Sequence, residues 1–133
     1  MKPSYLVDTD WIIHYLNGNK GIVEKIDALE KDELGASVIS VAELYEGIYY
    51  STNPTNNEKA LTDFLSGIST LGIEDEVCKV FGKERGRLRQ AKKTIGDFDL
   101  LIASTCLHRG LTLLTNNRKH YEMVDGLKIL SLL

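Results

Sequence analysis

The 133-residue chain predicts an α/β domain with a five-stranded parallel sheet and helices on both faces. Two observations carry that expectation. Short apolar runs alternate with longer stretches of helical periodicity, which is the pattern of successive β-α units. Four acidic or amide residues, Asp8, Glu43, Asp99 and Asn117, also stand where predicted strands end or helices begin. In an open parallel sheet, ligands bind outside the carboxyl ends of the strands, at the crevice where strand order reverses.

The elements follow in order. Strand one is Ser4 to Asp8, built on Tyr5-Leu6-Val7. A helix runs from Asp10 to Asn17 and stops at Gly18. A second, Lys20 to Asp32, puts Ile22, Ile26 and Leu29 on one face. Strand two covers Gly35 to Ile39. Ser40 caps a helix to Tyr50, with Val41, Leu44, Tyr45 and Ile48 as its apolar stripe. Ser51-Thr52-Asn53-Pro54 breaks the chain, and Thr55 with Glu58 forms a capping box for a helix to Ser66. Strand three is Thr70 to Ile73. A basic helix spans Asp75 to Lys93, and Gly96 ends that region. The helix Asp99 to His108 is closed by Gly110, before strand four, Leu111 to Thr115, and strand five, Lys128 to Leu132. Right-handed crossovers would join these strands. No repeat or linker interrupts the chain, so residues 1–133 are expected to form one domain.

The bulk properties narrow the function classes. A hydrophobic fraction of 43% and a charged fraction of 26% are those of an ordinary globular protein with a sizeable core. No apolar run is long enough to cross a bilayer. Met1-Lys2-Pro3-Ser4 leads directly into a strand without a signal peptide's apolar stretch, so the expected compartment is the cytoplasm. Cys78 and Cys106 form no CxxC pair and read as buried reduced thiols. The net charge of −3 argues against a generally basic nucleic-acid binder. The charge is uneven, however. Lys79, Lys83, Arg85, Arg87, Arg89, Lys92 and Lys93 face only Glu84 within their segment. Such a stripe on an acidic body can guide a polyanion. A solvated helix face is the blander reading, and the stripe gains weight only where it borders the acidic set.

Each candidate site residue has an ordinary structural role to set against a chemical one. Asp10 reads as an N-cap. Asp8 ends an apolar strand, where its charge must find a partner or a metal. Thr9 could orient a carboxylate or a water from behind. Ser40-Val41-Ala42-Glu43 matches a capping box, in which Glu43 simply bonds the backbone of Ser40. Asp97 is the better N-cap before Leu100, which places Asp99 in the first turn. Asn117 alone is a common turn residue. His14, His108 and His120 lack any metal-ligand spacing and read as surface or packing residues, and Trp11 reads as packing. Four oxygen donors gathered at strand ends would suit Mg²⁺ or Mn²⁺.

Taken together, Val7-Asp8-Thr9-Asp10, Ser40-Val41-Ala42-Glu43-Leu44-Tyr45-Glu46-Gly47, Gly96-Asp97-Phe98-Asp99-Leu100-Leu101-Ile102-Ala103 and Leu114-Thr115-Asn116-Asn117 resemble the PIN domain. The resemblance is closest to the VapC toxins of toxin–antitoxin pairs, and it covers essentially the whole chain. It implies a PIN-like three-layer α/β/α fold and a Mg²⁺- or Mn²⁺-dependent endoribonuclease. The acidic ligands would be Asp8, Glu43 and Asp99, with Asn117 at the fourth position, often Asp. Asn supplies a carbonyl without charge, and Asp97 could compensate. Thr115 matches the hydroxyl residue before the fourth position. The resemblance further implies a homodimer and a VapB-type antitoxin whose tail covers the site, often with an Arg against the carboxylates. Clustered carboxylates need a cation to stay ionised together, and a bound metal can activate water for phosphodiester hydrolysis. Lys83, Arg85, Arg87, Arg89, Lys92 and Lys93 would hold the RNA backbone.

Two rivals stand beside that reading. Asp8-Thr9-Asp10 is also the DxD of an aspartyl-phosphate phosphatase, although Ile12 sits where that family expects a small hydroxyl residue or Val. A catalytically decayed RNA- or protein-binding module is the other, favoured by Asn117.

Overall fold

The computed structural model describes residues 3–132. Five parallel strands, β1 (Tyr5–Val7), β2 (Leu34–Ser37), β3 (Ser69–Leu71), β4 (Thr112–Leu114) and β5 (Lys128–Leu130), line up in the order β3-β2-β1-β4-β5. The chain winds outward from β1 to β3, then returns to the other side of β1 for β4 and β5. Strand order therefore reverses between β1 and β4. The crevice at their carboxyl ends is where this topology places a ligand site. The expected α/β fold with five parallel strands is the observed one.

Among the described residues, seven helices surround the sheet: α1 (Thr9–Leu16), α2 (Lys20–Asp27), α3 (Val38–Tyr49), α4 (Pro54–Leu65), α5 (Asp75–Gln90), α6 (Asp97–Arg109) and α7 (Arg118–Tyr121). The central pair of strands explains why both faces are covered. Leu6 and Leu113 are paired in register and point to one face, where they meet Leu88, Leu100, Ile102 and Tyr121. Val7 and Leu114 point to the other face, against Trp11, Ile12, Ile22, Leu44 and Leu61. Side chains alternate along a strand, so two consecutive buried residues require a core on each side. Trp11 is fully buried, as packing predicts.

Several boundaries differ from the sequence expectation, each for a local reason. Strand two begins at Leu34 and ends at Ser37, and Ser37 rather than Ser40 is the N-cap of α3. Its Oγ accepts from the Ile39 N–H at 3.0 Å. The long helix expected from Lys20 to Asp32 stops at Asp27. Leu29 N–H bonds Ile26 O in a tightened last turn, and Glu30 turns extended to start a short 3₁₀ segment, Lys31–Glu33. Asn53 caps α4 with Pro54 at its first position, in place of the Thr55–Glu58 box. The basic helix ends at Gln90, because Lys92 takes a left-handed conformation (φ +57°) and Lys93 N–H reaches back to Leu88 O at 2.9 Å. Helix α6 starts at Asp97 with Gly96 as N-cap, two residues earlier than expected. Gly110 ends it in the left-handed region (φ +68°), as read from sequence. Cys106 is buried, but Cys78 is exposed on α5, contrary to the expectation of two buried thiols.

Candidate active site

Asp8 stands at the carboxyl end of β1, beside Thr115 at the end of β4. It is the N-cap of α1, the role expected of Asp10, and only 4% of it is exposed. Its Oδ1 accepts from Thr9 N–H at 2.9 Å and faces the Tyr121 hydroxyl at 3.2 Å. Its Oδ2 accepts from Thr115 Oγ1 at 2.8 Å. The carboxyl's pKa is nevertheless raised to about 7. Burial is the main cause, followed by the charge of Asp10; hydrogen bonds from Thr115 and Thr9 oppose the shift, and Asp99 adds to it. Hydrogen bonds alone do not offset the desolvation of this group beside other carboxylates.

Asp99 lies in the first turn of α6 and joins Asp8 through Tyr121. The phenol oxygen is 3.2 Å from Asp8 Oδ1 and 3.2 Å from Asp99 Oδ1. Burial and both carboxylates push the Tyr121 pKa well up, so the phenol keeps its proton. A phenol has one proton to give. It serves both carboxyls fully only when one of them is itself protonated, which matches the raised pKa of Asp8.

Glu43 projects from α3 toward the same place. Its Oε1 accepts from Thr9 Oγ1 at 2.8 Å, and that hydroxyl is also 2.8 Å from the buried Ser40 Oγ. The capping box suggested by Ser40 and Glu43 does not form, because Ser40 lies inside α3 rather than before it. Thr9 thus orients a carboxylate, as its position suggested. Asp10 is held by Trp11 N–H at 2.8 Å, Asn116 N–H at 3.0 Å and Thr115 Oγ1 at 3.2 Å, which makes it part of the scaffold behind Asp8.

Asn117 reaches the centre indirectly. Its backbone N–H bonds Thr115 Oγ1 at 3.0 Å, and its amide lies 3.0 Å from His120 Nδ1. His120 Nδ1 is in turn 3.6 Å from Asp99 Oδ2. Asp97 is exposed but paired with Arg85, whose guanidinium also bonds Ile95 O at 3.0 Å and covers the Phe81 ring. Asp97 is thus engaged by Arg85 while lining the same cleft as Glu43 and Asp99. Arg87 is likewise engaged, by Glu84 in a two-pronged pair and by Met123 O. Among the described residues, Lys83, Arg89, Lys92 and Lys93 are exposed and carry no ion pair. Of the seven-residue basic stripe, then, Arg85 and Arg87 fasten the fold, Lys79 pairs with Glu76, and the remaining four are open to solvent.

Glu43, Gly96, Asp97, Phe98 and Asp99 line one open cleft. Among the described residues, no three His, Cys, Asp or Glu groups already converge on a single point. The donor chemistry nonetheless fits a hard divalent cation: Asp8, Asp99 and Glu43 offer carboxylate oxygens, and Asp8 is buried with like charge and insufficient compensation. Asp8 is also poorly placed as a covalent nucleophile, because both its oxygens accept hydrogen bonds in the interior. Tyr121, His120, Ser40 and Asp10 were not read from sequence as parts of the site.

A three-layer parallel fold with carboxylates at its topological switch point defines the class. The chain belongs to the PIN-domain family, whose model matches residues 5–126. Its similarity within that family is to VapC ribonucleases. Ribonuclease VapC2 of Haemophilus influenzae is 30% identical over 124 residues, 93% of this chain and 94% of that one. The tRNA(fMet)-specific endonuclease VapC of Shigella flexneri is 27% identical over 124 residues, again 93% and 94%. A chain in the crystal structure of VapBC2 from Rickettsia felis bound to a DNA fragment from their promoter matches at a TM-score of 0.90 and 28% identity, covering 96% of this chain and 98% of that chain. No helix among the described residues is long and apolar enough to cross a membrane.

Proposed function

We propose that this protein is a Mg²⁺- or Mn²⁺-dependent endoribonuclease, the toxin of a pair whose second member is a VapB-type antitoxin. The observation that carries the reading is Asp8: a carboxyl buried at the β1/β4 switch point, linked through one phenol to Asp99, with Glu43 held toward it by Thr9. The ribonuclease names of its relatives and the VapBC complex it matches supply the substrate class and the partner.

Asp8, Asp99 and Glu43 would hold the cation. When bound, it supplies Lewis acidity toward a phosphoryl oxygen and lowers the pKa of water in its shell. The protein contributes orientation. Thr115 and Thr9 N–H fix the Asp8 carboxyl, Thr9 Oγ1 fixes Glu43, and Tyr121 sets the separation of Asp8 from Asp99. Within the basic stripe, Lys83, Arg89, Lys92 and Lys93 are free to meet an RNA backbone. Asn117 directs its side chain to His120, so the carboxylate set stands without it.

Purified protein incubated with transfer RNA and folded RNA in Mg²⁺ or Mn²⁺ tests the proposal. Discrete cuts are expected, lost with EDTA and lost in Asp99→Asn. Cutting that survives both controls would mean a different chemistry.

A further inference from the structure

We propose that Phe98 stacks on an unpaired base beside the scissile phosphate, and so selects RNA that is single-stranded at the cut. The inference rests on the endoribonuclease reading above and names the form of RNA that the same cleft takes.

Phe98 lies in the first turn of α6 with 53% of its surface exposed. It belongs to neither apolar core and pairs with no other aromatic ring among the described residues. The helix does not need it for docking. Ile95 stands just before the N-cap Gly96, and Leu100 is the fourth helical residue; both are buried in one cluster. Apolar residues at those two places fix the entry of a helix. The Phe98 ring is left facing water, against the hydrophobic effect.

The place it faces is specific. Of the exposed large apolar side chains among the described residues, Phe98 alone lines the cleft of about 400 Å³ that Glu43 and Asp99 share. Helical side chains lean toward the N-terminus of their helix, so a ring in the first turn overhangs that end. The segment leading into it is basic. Arg89, Lys92 and Lys93 precede Phe98 and are exposed without an ion pair. That segment is also pinned. Lys93 N–H bonds Leu88 O at 2.9 Å, and Arg85 holds both Ile95 O, at 3.0 Å, and the Asp97 carboxylate. Cations for the backbone beside an aromatic face for a base make a surface for single strands. Bases in a duplex are stacked on their neighbours and have no face to offer Phe98, whereas those of loops and ends can be splayed out. Every base has such a face, so Phe98 reads pairing rather than sequence.

A short oligouridine carrying one central 2-aminopurine, titrated into the full protein bearing Asp99→Asn, tests this on uncut RNA. Stacking quenches the probe's fluorescence. Quenching is expected with Phe98 in place, kept in Phe98→Tyr, and lost in both Phe98→Ala and Phe98→Leu, with affinity lower by about tenfold. Leu keeps apolar bulk without an aromatic face, so a packing role alone would spare that variant. The slope of log affinity against log salt should not change, because no cation is removed. With Asp99 restored, annealing a complementary strand over a mapped cut site should abolish cutting there. RNA bound without quenching, quenching that survives Phe98→Ala, or undiminished cutting of the paired site would each overturn the inference and leave the endoribonuclease standing. Altered sedimentation of Phe98→Ala with quenching intact would overturn it too, and would give the ring to a contact between copies of the chain. Neither RNA binding nor cutting by the unsubstituted protein would remove the endoribonuclease reading, and this inference with it.

Discussion

Tyr121 links the two central carboxyls, and its role can be separated from its packing. The ring is fully buried in the core, and only its hydroxyl touches Asp8 and Asp99. Tyr121→Phe keeps the ring and removes that link. Cleavage and Mn²⁺ affinity are each expected to fall about tenfold, the usual effect of losing a residue that orients a metal ligand. Stability should change by only about 1 kcal/mol. Steady-state kinetics beside urea unfolding would show both. An unchanged cleavage rate would reduce Tyr121 to a core residue. The residue gave no signal in the sequence. It sits in a four-residue helix too short for periodicity, after a segment that reads only as a turn. Asp8, by contrast, was legible because a charge at the end of an apolar strand demands an explanation. Glu43 was half-legible. Its motif fits a cap equally well, and only the placement of Ser37 at the end of β2 decides between them.

The basic helix α5 shows the limit of reading charge along a line. Arg85 finds Asp97 twelve residues on, and Arg87 finds Met123 O thirty-six residues on. Neither partner is visible as a local pattern, so seven basic residues looked alike in the sequence. Helix ends were misplaced for a related reason: Ser37 and Ser40, or Asn53 and Thr55, are chemically equivalent caps, and tertiary register selects one of each. Strand existence and order of elements were legible, because apolar runs of this kind have few alternatives. The C-terminus of α5 offers a test that separates fold from RNA. Lys92 holds a left-handed backbone that a side chain resists. Lys92→Gly should stabilise the fold by about 1 kcal/mol. If Lys92 meets a phosphate, the same change should lower the slope of log affinity against log salt by about 0.7. Chemical unfolding and RNA binding at several salt concentrations measure the two effects independently.

If Asp8 holds the proposed cation, the molecule as a whole should report it through its pH dependence. Asp8 titrates near pH 7 when folded and near 3.8 in its ordinary state. Between those values the folded protein binds the extra proton, so the metal-free protein loses stability as pH rises from about 4 to about 7. The loss is fully present above that range and amounts to about 4 kcal/mol at most. Mg²⁺ or Mn²⁺ should therefore raise the melting temperature more at pH 7.5 than at pH 5, because binding is linked to loss of that proton. Asp8→Asn should flatten the metal-free profile and abolish the metal-dependent shift. Thermal melts at the two pH values, with and without metal, decide it. Equal shifts at both would detach Asp8 from the cation.

The span of chain that closes around Asp8 has a consequence for how a cell can make this protein at all. Tyr121 and Asp8 are 113 residues apart, and Thr115 reaches Asp8 from 107 residues away. The sheet's central pair joins the first strand to the fourth. A nascent chain on the ribosome can fold its early helices, but β4 and α7 must emerge before Asp8 meets its partners. Translation thus leaves the site around Asp8 unassembled until β4 and α7 have emerged and docked.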